Sequence, residues 1–418
     1  MQAKASQTAI ERVMRSPLCL GATIAMFLSG LGTSAAAPQI VLFLVKELQV
    51  SLPAAGLFYL TNLMAPIAGY LVGSYSDRTG NRLGLFRICA LAGFAGWAAI
   101  AMASDAWMPF VISAVVLGFS GAAASQVFAA LHDDISRNPG GNDDSVVAIV
   151  RMALTAGWVV GPVLGAWLAA QYGLRTMLWV TAACFLLQIL PLGTMKVIAN
   201  PKAAVDPLKQ AATSADWRAM LPLLAFTGLF ILVYAGESIK YGFLLLYMEE
   251  SLHIEAGIRG AVIGIQPLVE LLIMPFSILL GRRVAFMRLM AVAAGCAVLA
   301  NVCFALWPDV VGMFAGQILM GVVWGIFAAL GIIVAQRLLP QAVATASAIF
   351  MSSTALSSAL GGVAGGLGVA VIGLPHVFLL PAAFSALAVV GLLVMAKSIS
   401  LDRDKSVPNA QPEPIGRV

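Results

Sequence analysis

Glu270 stands alone in an apolar stretch, flanked by Pro267 and Pro275, with no basic residue within one turn of its own segment. A carboxylate in such surroundings must be protonated for part of a working cycle, face a wet cavity, or meet a partner from another helix. The chemistry open to it is proton carriage or recognition of a polar ligand, with a permanent interhelix pair as the structural alternative. Glu237 and Lys240 lie three residues apart, so on a helix they share a face and can neutralise each other, as a static pair or as part of a gate. Glu237 is the second candidate for carrying a proton. Arg151 heads another apolar stretch, from which it could reach Glu270, Glu237 or a ligand oxygen, or snorkel back to a polar surface.

Other chemistries lack their residues. The sequence holds no Gly-Lys-Ser/Thr phosphate loop, no His-Glu-x-x-His and no Cys-x-x-Cys, and its 3 histidines are scattered at positions 132, 253 and 376. ATP-driven transport and membrane-embedded hydrolysis are therefore not expected, nor is any cofactor or metal. Cys19, Cys89, Cys184, Cys296 and Cys303 all fall in apolar segments and read as buried thiols. His132-Asp133-Asp134 reads as a solvated helix end.

The elements that must position these groups are set by the solvent. The chain is 61% hydrophobic and only 10% charged, with a mean hydropathy of +0.95, against the roughly 25% charged residues of a soluble domain. So few charges cannot clothe an aqueous surface, whereas a bilayer solvates apolar side chains all round a helix. Charge-free runs long enough to cross the hydrocarbon core occupy 18–45, 48–76, 88–104, 106–131, 152–174, 176–195, 289–308 and 310–336. The run 338–396 is divided in two by Gly373-Leu374-Pro375-His376. Segments 219–248 and 256–280 have the same character but carry Glu237, Lys240 and Glu270, bringing the spans to twelve.

With the N-terminus in the cytoplasm, nearly all of the 24 Lys and Arg fall in loops on that side, and the opposite loops hold only Lys46, Arg175 and Arg259. Both termini are therefore expected in the cytoplasm, and the basic pI marks membrane sidedness and not a nucleic-acid partner. The small residues Ser34-Ala35-Ala36-Ala37 imitate a signal-peptide cleavage site, but the apolar run continues past Pro38, so 18–45 is read as the first span. The expected organisation is an N-terminal six-helix half (1–198), a polar cytoplasmic linker (199–217), a C-terminal six-helix half (218–399) and a disordered cytoplasmic tail (400–418). Two such halves fit a transporter built from repeats, with its ligand near the midplane between them. A channel would more naturally repeat a polar ring in an oligomer, and the chain is read as a monomer.

The loop between the second and third spans, Gly73-Ser74-Tyr75-Ser76-Asp77-Arg78-Thr79-Gly80-Asn81-Arg82, resembles the signature of the major facilitator superfamily, with Asn81 in place of a usual basic residue. Gly73 would allow close helix approach, and Asp77 could sit at a helix terminus and pair with an Arg. In the fifth span Gly157, Gly161, Pro162 and Gly165 resemble the superfamily signature associated with antiporters, which implies export. More narrowly the chain is similar to the bacterial sugar efflux transporters. The stretches that carry this are Gly56-Leu57-Phe58-Tyr59 with Asn62, Gln126-Val127-Phe128-Ala129, Arg151 with 156–162, Glu270 before Pro275, and Leu338-Leu339-Pro340.

The resemblance implies an all-α major facilitator fold in a bacterial inner membrane, with proton antiport of small sugars or glycosides. A drug or metabolite exporter of the same superfamily is the alternative. Sugars present hydroxyls and apolar ring faces, which suit amides placed beside aromatic rings. Gln39, Asn62, Gln126 and Gln317 are the intramembrane amides, and Tyr59, Trp158, Tyr234 and Trp324 the aromatics at similar depth. The four amides, Trp158 and Trp324, with Arg151, Lys240 and Glu270, form the candidate substrate-binding set.

Overall fold

A computed structural model describes residues 9–137, 143–195, 217–281 and 283–405. Most of the expected linker and tail, together with Arg282, lie outside the described residues. Among the described residues twelve helices are long and apolar enough to cross a membrane. They are α1 (Pro17–Lys46), α2 (Leu52–Thr79), α3 (Arg82–Ala101), α4 (Met108–Arg137), α5 (Ser145–Tyr172) and α6 (Leu174–Leu192), followed by α7 (Arg218–Glu250), α8 (Ala256–Leu280), α9 (Phe286–Leu306), α10 (Val310–Leu338), α11 (Thr345–Ile372) and α12 (His376–Ser398). An even number of crossings puts the start of α1 and the end of α12 on one face.

Three spans depart from regular α-helix for local reasons. In α1 the helix Pro17–Ala36 stops and resumes as Ile40–Lys46, because Pro38 lacks an N–H and its ring crowds the preceding turn. Gln39 heads the second piece. In α2 a tighter 3-10 stretch, Leu57–Leu63, follows Gly56, and α4 contains a single π-turn at Ser113–Leu117, both common at sites where helices must re-aim side chains.

The loop signature is explained by caps. Gly80 ends α2 in the left-handed conformation, φ 66°, which costs a Cβ-bearing residue about 1–2 kcal/mol. Asn81 then accepts from the Gly84 N–H at 3.1 Å and caps α3, a role for which Asn is among the best residues and a basic side chain is not.

The packing repeats between halves. Helix α5 lies between α1 and α8: a Cβ on Gly157 would fall 2.5 Å from the Leu31 N and Phe27 O atoms, and one on Gly264 of α8 would fall 2.8 Å from the Val159 carbonyl. Helix α11 lies correspondingly between α7 and α2. A Cβ on Gly361 would meet the Ala235 carbonyl at 2.1 Å, and one on Gly362 the Gly56 carbonyl at 2.6 Å. Backbone-to-backbone seams of this kind suit a membrane, where dispersion replaces the hydrophobic effect as the force between helices.

The seams that join the halves, α5 on α8 and α2 on α11, lie toward the face remote from the termini. There Lys46, ending α1, pairs with Glu249, ending α7, and Arg259 reaches the same carboxylate at 3.2 Å. Toward the other face the halves part. Residues 62–67 of α2 are exposed in unbroken succession; since six residues pass right round a helix, α2 must have lipid on one side and open space on the other. The molecule is thus a cleft, closed at one face and open to the face that carries the termini.

Candidate functional site

At the closed end of the cleft α7 presents Tyr234, Glu237, Lys240 and Tyr241 within two turns. Lys240 is fully buried and Glu237 is 5% exposed. Burying two charges is tolerable only when each is paired and hydrogen-bonded. Here the Lys240 ammonium bonds to Glu237 and to the Gln266 Oε1 atom of α8 and sits 4.5 Å from the centre of the Tyr241 ring. The Gln266 amide donates to Glu237 Oε1 at 2.7 Å, and the Trp324 indole of α10 donates to the same oxygen. Three helices of the second half are therefore tied by one carboxylate–ammonium–amide–indole network.

Aromatic rings wall this network. Tyr234 meets Trp324 edge-on with centroids 4.6 Å apart, and Phe230 lies 6.3 Å from Trp324. From the first half Trp158 of α5 approaches Tyr241, centroids 6.4 Å apart. Asn62 of α2 donates to Ser358 of α11 at 2.6 Å, and the Ser238 hydroxyl of α7 lies 3.2 Å from the same oxygen, a polar link across the halves.

Glu270 is half-buried on α8, one turn beyond Gln266, and has no hydrogen bond or ion pair among the described residues. It lies within electrostatic range of both Glu237 and Lys240. The permanent interhelix pair that its isolation in the sequence left open is not what this conformation contains.

Several expected residues fall elsewhere. Arg151 is exposed and makes no ion pair among the described residues, so it meets neither Glu270 nor Glu237; it lies about two turns of α5 before Trp158, which reaches the apex. Gln126 accepts from Ser76 at 2.5 Å, near the face that bears the termini and far along α4 from the apex. Gln317 is fully buried one turn before Gly321, where α10 packs on Val269 of α8, so it belongs to helix packing. Gln39 is buried at the α1 break.

At the face of the termini Arg82 gathers the signature. Its guanidinium donates to Asp77 at 2.5 Å, to Asp133 at 3.1 Å and to Ser76 at 3.0 Å. Asp133 is 1% exposed, so the expected solvated end of α4 is instead half of a buried ion pair. Arg78 is exposed. A Cβ on Gly73 would meet nothing within 4 Å; the close approach expected there is absent because the cleft stands open on that side. In α5, Gly161 and Gly165 press on Ser34 and Ala35 of α1, while Pro162 contacts Gly260 of α8.

Sequence reasoning missed Gln266, Tyr241 and Ser358, and misread Asp133. The available signal for Gln266 was its spacing, one turn before Glu270 and beside Pro267 in an otherwise apolar run. No three His, Cys, Asp or Glu side chains among the described residues gather in a metal-binding arrangement.

Residues 22–306 match the model of the Major Facilitator Superfamily. The chain belongs to that superfamily. Among its relatives, a Deinococcus radiodurans protein whose name assigns it to sugar efflux is 29% identical over 91% of this chain and 98% of its own. Sugar efflux transporter A of Dickeya chrysanthemi is 25% identical over 82% of this chain and 86% of its own. Among solved structures, a variant of the nucleoside transporter NupG superposes with a TM-score of 0.78 at 17% identity, over 90% of this chain and 99% of that one, which speaks for the fold alone. In this major facilitator protein, then, the two-half cleft holds at its apex carboxylate, ammonium, amide and indole groups beside aromatic faces. Such a set can bond hydroxyls and stack on an apolar ring.

Proposed function

We propose that this chain exports small sugars or glycosides from the cytoplasm across a bacterial inner membrane, in exchange for protons, by alternating access. The observation that carries the reading is the Glu237–Lys240–Gln266–Trp324 network at the apex of the cleft, walled by Tyr234, Tyr241 and Trp158, with Glu270 beside it. The names of the relatives point to the same substrate class. The distribution of Lys and Arg supports a cytoplasmic open face, and on that reading this conformation is the one that receives cargo for export. Asn62 and Trp158 reach the apex from the first half and would close on the cargo with Lys240, Glu237 and Trp324 from the second.

The test is uptake into everted vesicles, which present the cytoplasmic face, with an imposed pH gradient and a panel of unlabelled sugars, glycosides and hydrophobic cations as competitors. Competition by sugars or glycosides, saturable and abolished by collapsing the gradient, is the expected result. Inhibition by the cations alone would replace the sugar reading with that of a drug exporter.

The signature cluster supports a second expectation. Asp77 holds Arg82 near the open face, remote from the apex, so it should bias the conformational equilibrium and leave the binding site alone. Asp77 is 43% exposed, which reduces the worth of its charge-assisted bond to about 1 kcal/mol. Asp77→Asn is expected to slow turnover about fivefold with substrate affinity nearly unchanged, as measured by transport rate against equilibrium binding. Loss of all binding in the folded protein would count against this assignment.

A further inference from the structure

Two carboxylates face one ammonium at the apex. Among the described residues Lys240 is the only cation there: Glu237 and Tyr241 face it from α7 and Gln266 and Glu270 from α8, with Trp324 of α10 and Tyr234 beside Glu237 and Tyr59 of α2 beside Tyr241. Helix α11 contains no ionisable side chain, and in α1 the only charged one is Lys46 at its far end. Arg151 is elsewhere, exposed along α5. With every acid and base charged the apex would carry one surplus negative charge, and the carboxylate left without a direct partner is Glu270.

The contact that holds Lys240 is also placed to hand it over. Gln266 Oε1 accepts from Lys240, and Gln266 and Glu270 are four apart and therefore stacked on one face of α8. An ammonium on a flexible four-carbon stem already bonded to the Gln266 amide needs only to move along that face to meet Glu270. We infer that Lys240 is a positioning residue that exchanges partners: it pairs with Glu237 while Glu270 holds a proton and moves to Glu270 when that proton leaves. The move frees the Glu237 Oε2 oxygen to accept from a substrate hydroxyl, while Oε1 keeps its bonds from Gln266 and Trp324. Proton and substrate then compete through a single side chain that touches both acids, which makes exchange obligatory without the two ligands meeting. The only bonds that change are O–H bonds: the carboxyl O–H of Glu270 breaks as its proton passes to water in the open cleft, and the reverse transfer restores it.

This inference rests on the proposed role of Glu270 as the proton carrier, and it can fail separately. The experiment is infrared difference spectroscopy of the purified, substrate-free protein across pH, with protons as the only probe. Glu270→Gln and Glu237→Gln proteins assign the two carboxyl bands. The expected result is that the Glu237 carboxylate band shifts with the same midpoint as the Glu270 titration, and that in Glu270→Gln it no longer responds to pH. Should Glu237→Gln not fold, 5-fluorotryptophan at Trp324, assigned with Trp324→Phe, gives the same readout, because the indole bonds to Glu237: its 19F resonance should follow the Glu270 titration. If Glu270 titrates while Glu237 and Trp324 stay constant, Lys240 is a fixed partner and the exchange is overturned with the carrier role intact. If Glu270 does not titrate at all, both the carrier role and the exchange are overturned.

Discussion

Vesicles carrying Glu270→Gln are expected to lose substrate accumulation driven by a pH gradient while keeping binding and exchange of labelled for unlabelled substrate. A gradient of one pH unit stores about 1.4 kcal/mol per proton, enough in one-for-one antiport for roughly a tenfold substrate gradient. The variant keeps the shape and hydrogen-bonding capacity of the side chain but cannot ionise, so its accumulation ratio should fall to about 1 whatever the gradient. Glu270 is the choice because it alone of the apex acids has no direct partner among the described residues, whereas Glu237 is held by Lys240, Gln266 and Trp324. Normal uphill accumulation by folded Glu270→Gln protein, with ΔpH as the sole driving force, would move the coupling role to Glu237.

Gly161→Val should cost the protein its fold or a large part of its thermal stability. A Cβ at Gly161 would stand 1.9 Å from Ser34 Oγ, 2.7 Å from the Leu31 carbonyl oxygen and 3.0 Å from the Ala35 nitrogen. The Ser34 hydroxyl could rotate, at the loss of its 3.0 Å bond to the Gly157 carbonyl, but the α1 backbone cannot withdraw without opening the whole α1–α5 seam. Overpacking of a tight core typically costs about 1–3 kcal/mol, and contact with backbone belongs at the upper end. Size-exclusion profile and melting temperature of the purified protein are the measurements. Gly73→Ala supplies the contrast: its Cβ would meet open space, so stability should be unchanged, and any loss of transport would report the conformation in which that face closes. A Gly161→Val protein as stable as the parent would show that the seam is loose.

How much of this was legible beforehand depended on what each feature needs in order to be seen. The number and placement of the helices follow from the sequence because lipid demands about twenty apolar residues per crossing, a local property of the chain. So does the exceptional standing of Glu237, Lys240 and Glu270, since a charge in an apolar run is visible without coordinates.

What needed the fold was every statement about partners. Lys240 and Glu237 could be paired by their spacing, but that Gln266 and Trp324 complete the network depends on the rotation of α8 and α10 against α7. Gln126 and Asn62 are both amides in apolar runs, yet one is locked to Ser76 and the other bridges the halves to Ser358; the sequence carries no depth coordinate along a helix. Gly73 and Gly161 are both signature glycines, and only the tilt of the halves makes one face empty space and the other the α1 backbone. By itself the sequence determined a twelve-helix membrane carrier with an acid to account for in its second half, because hydropathy and charge act residue by residue. Which groups meet at the apex, and which face of the cleft stands open, only the tertiary structure decided, because those depend on how whole helices pack against one another.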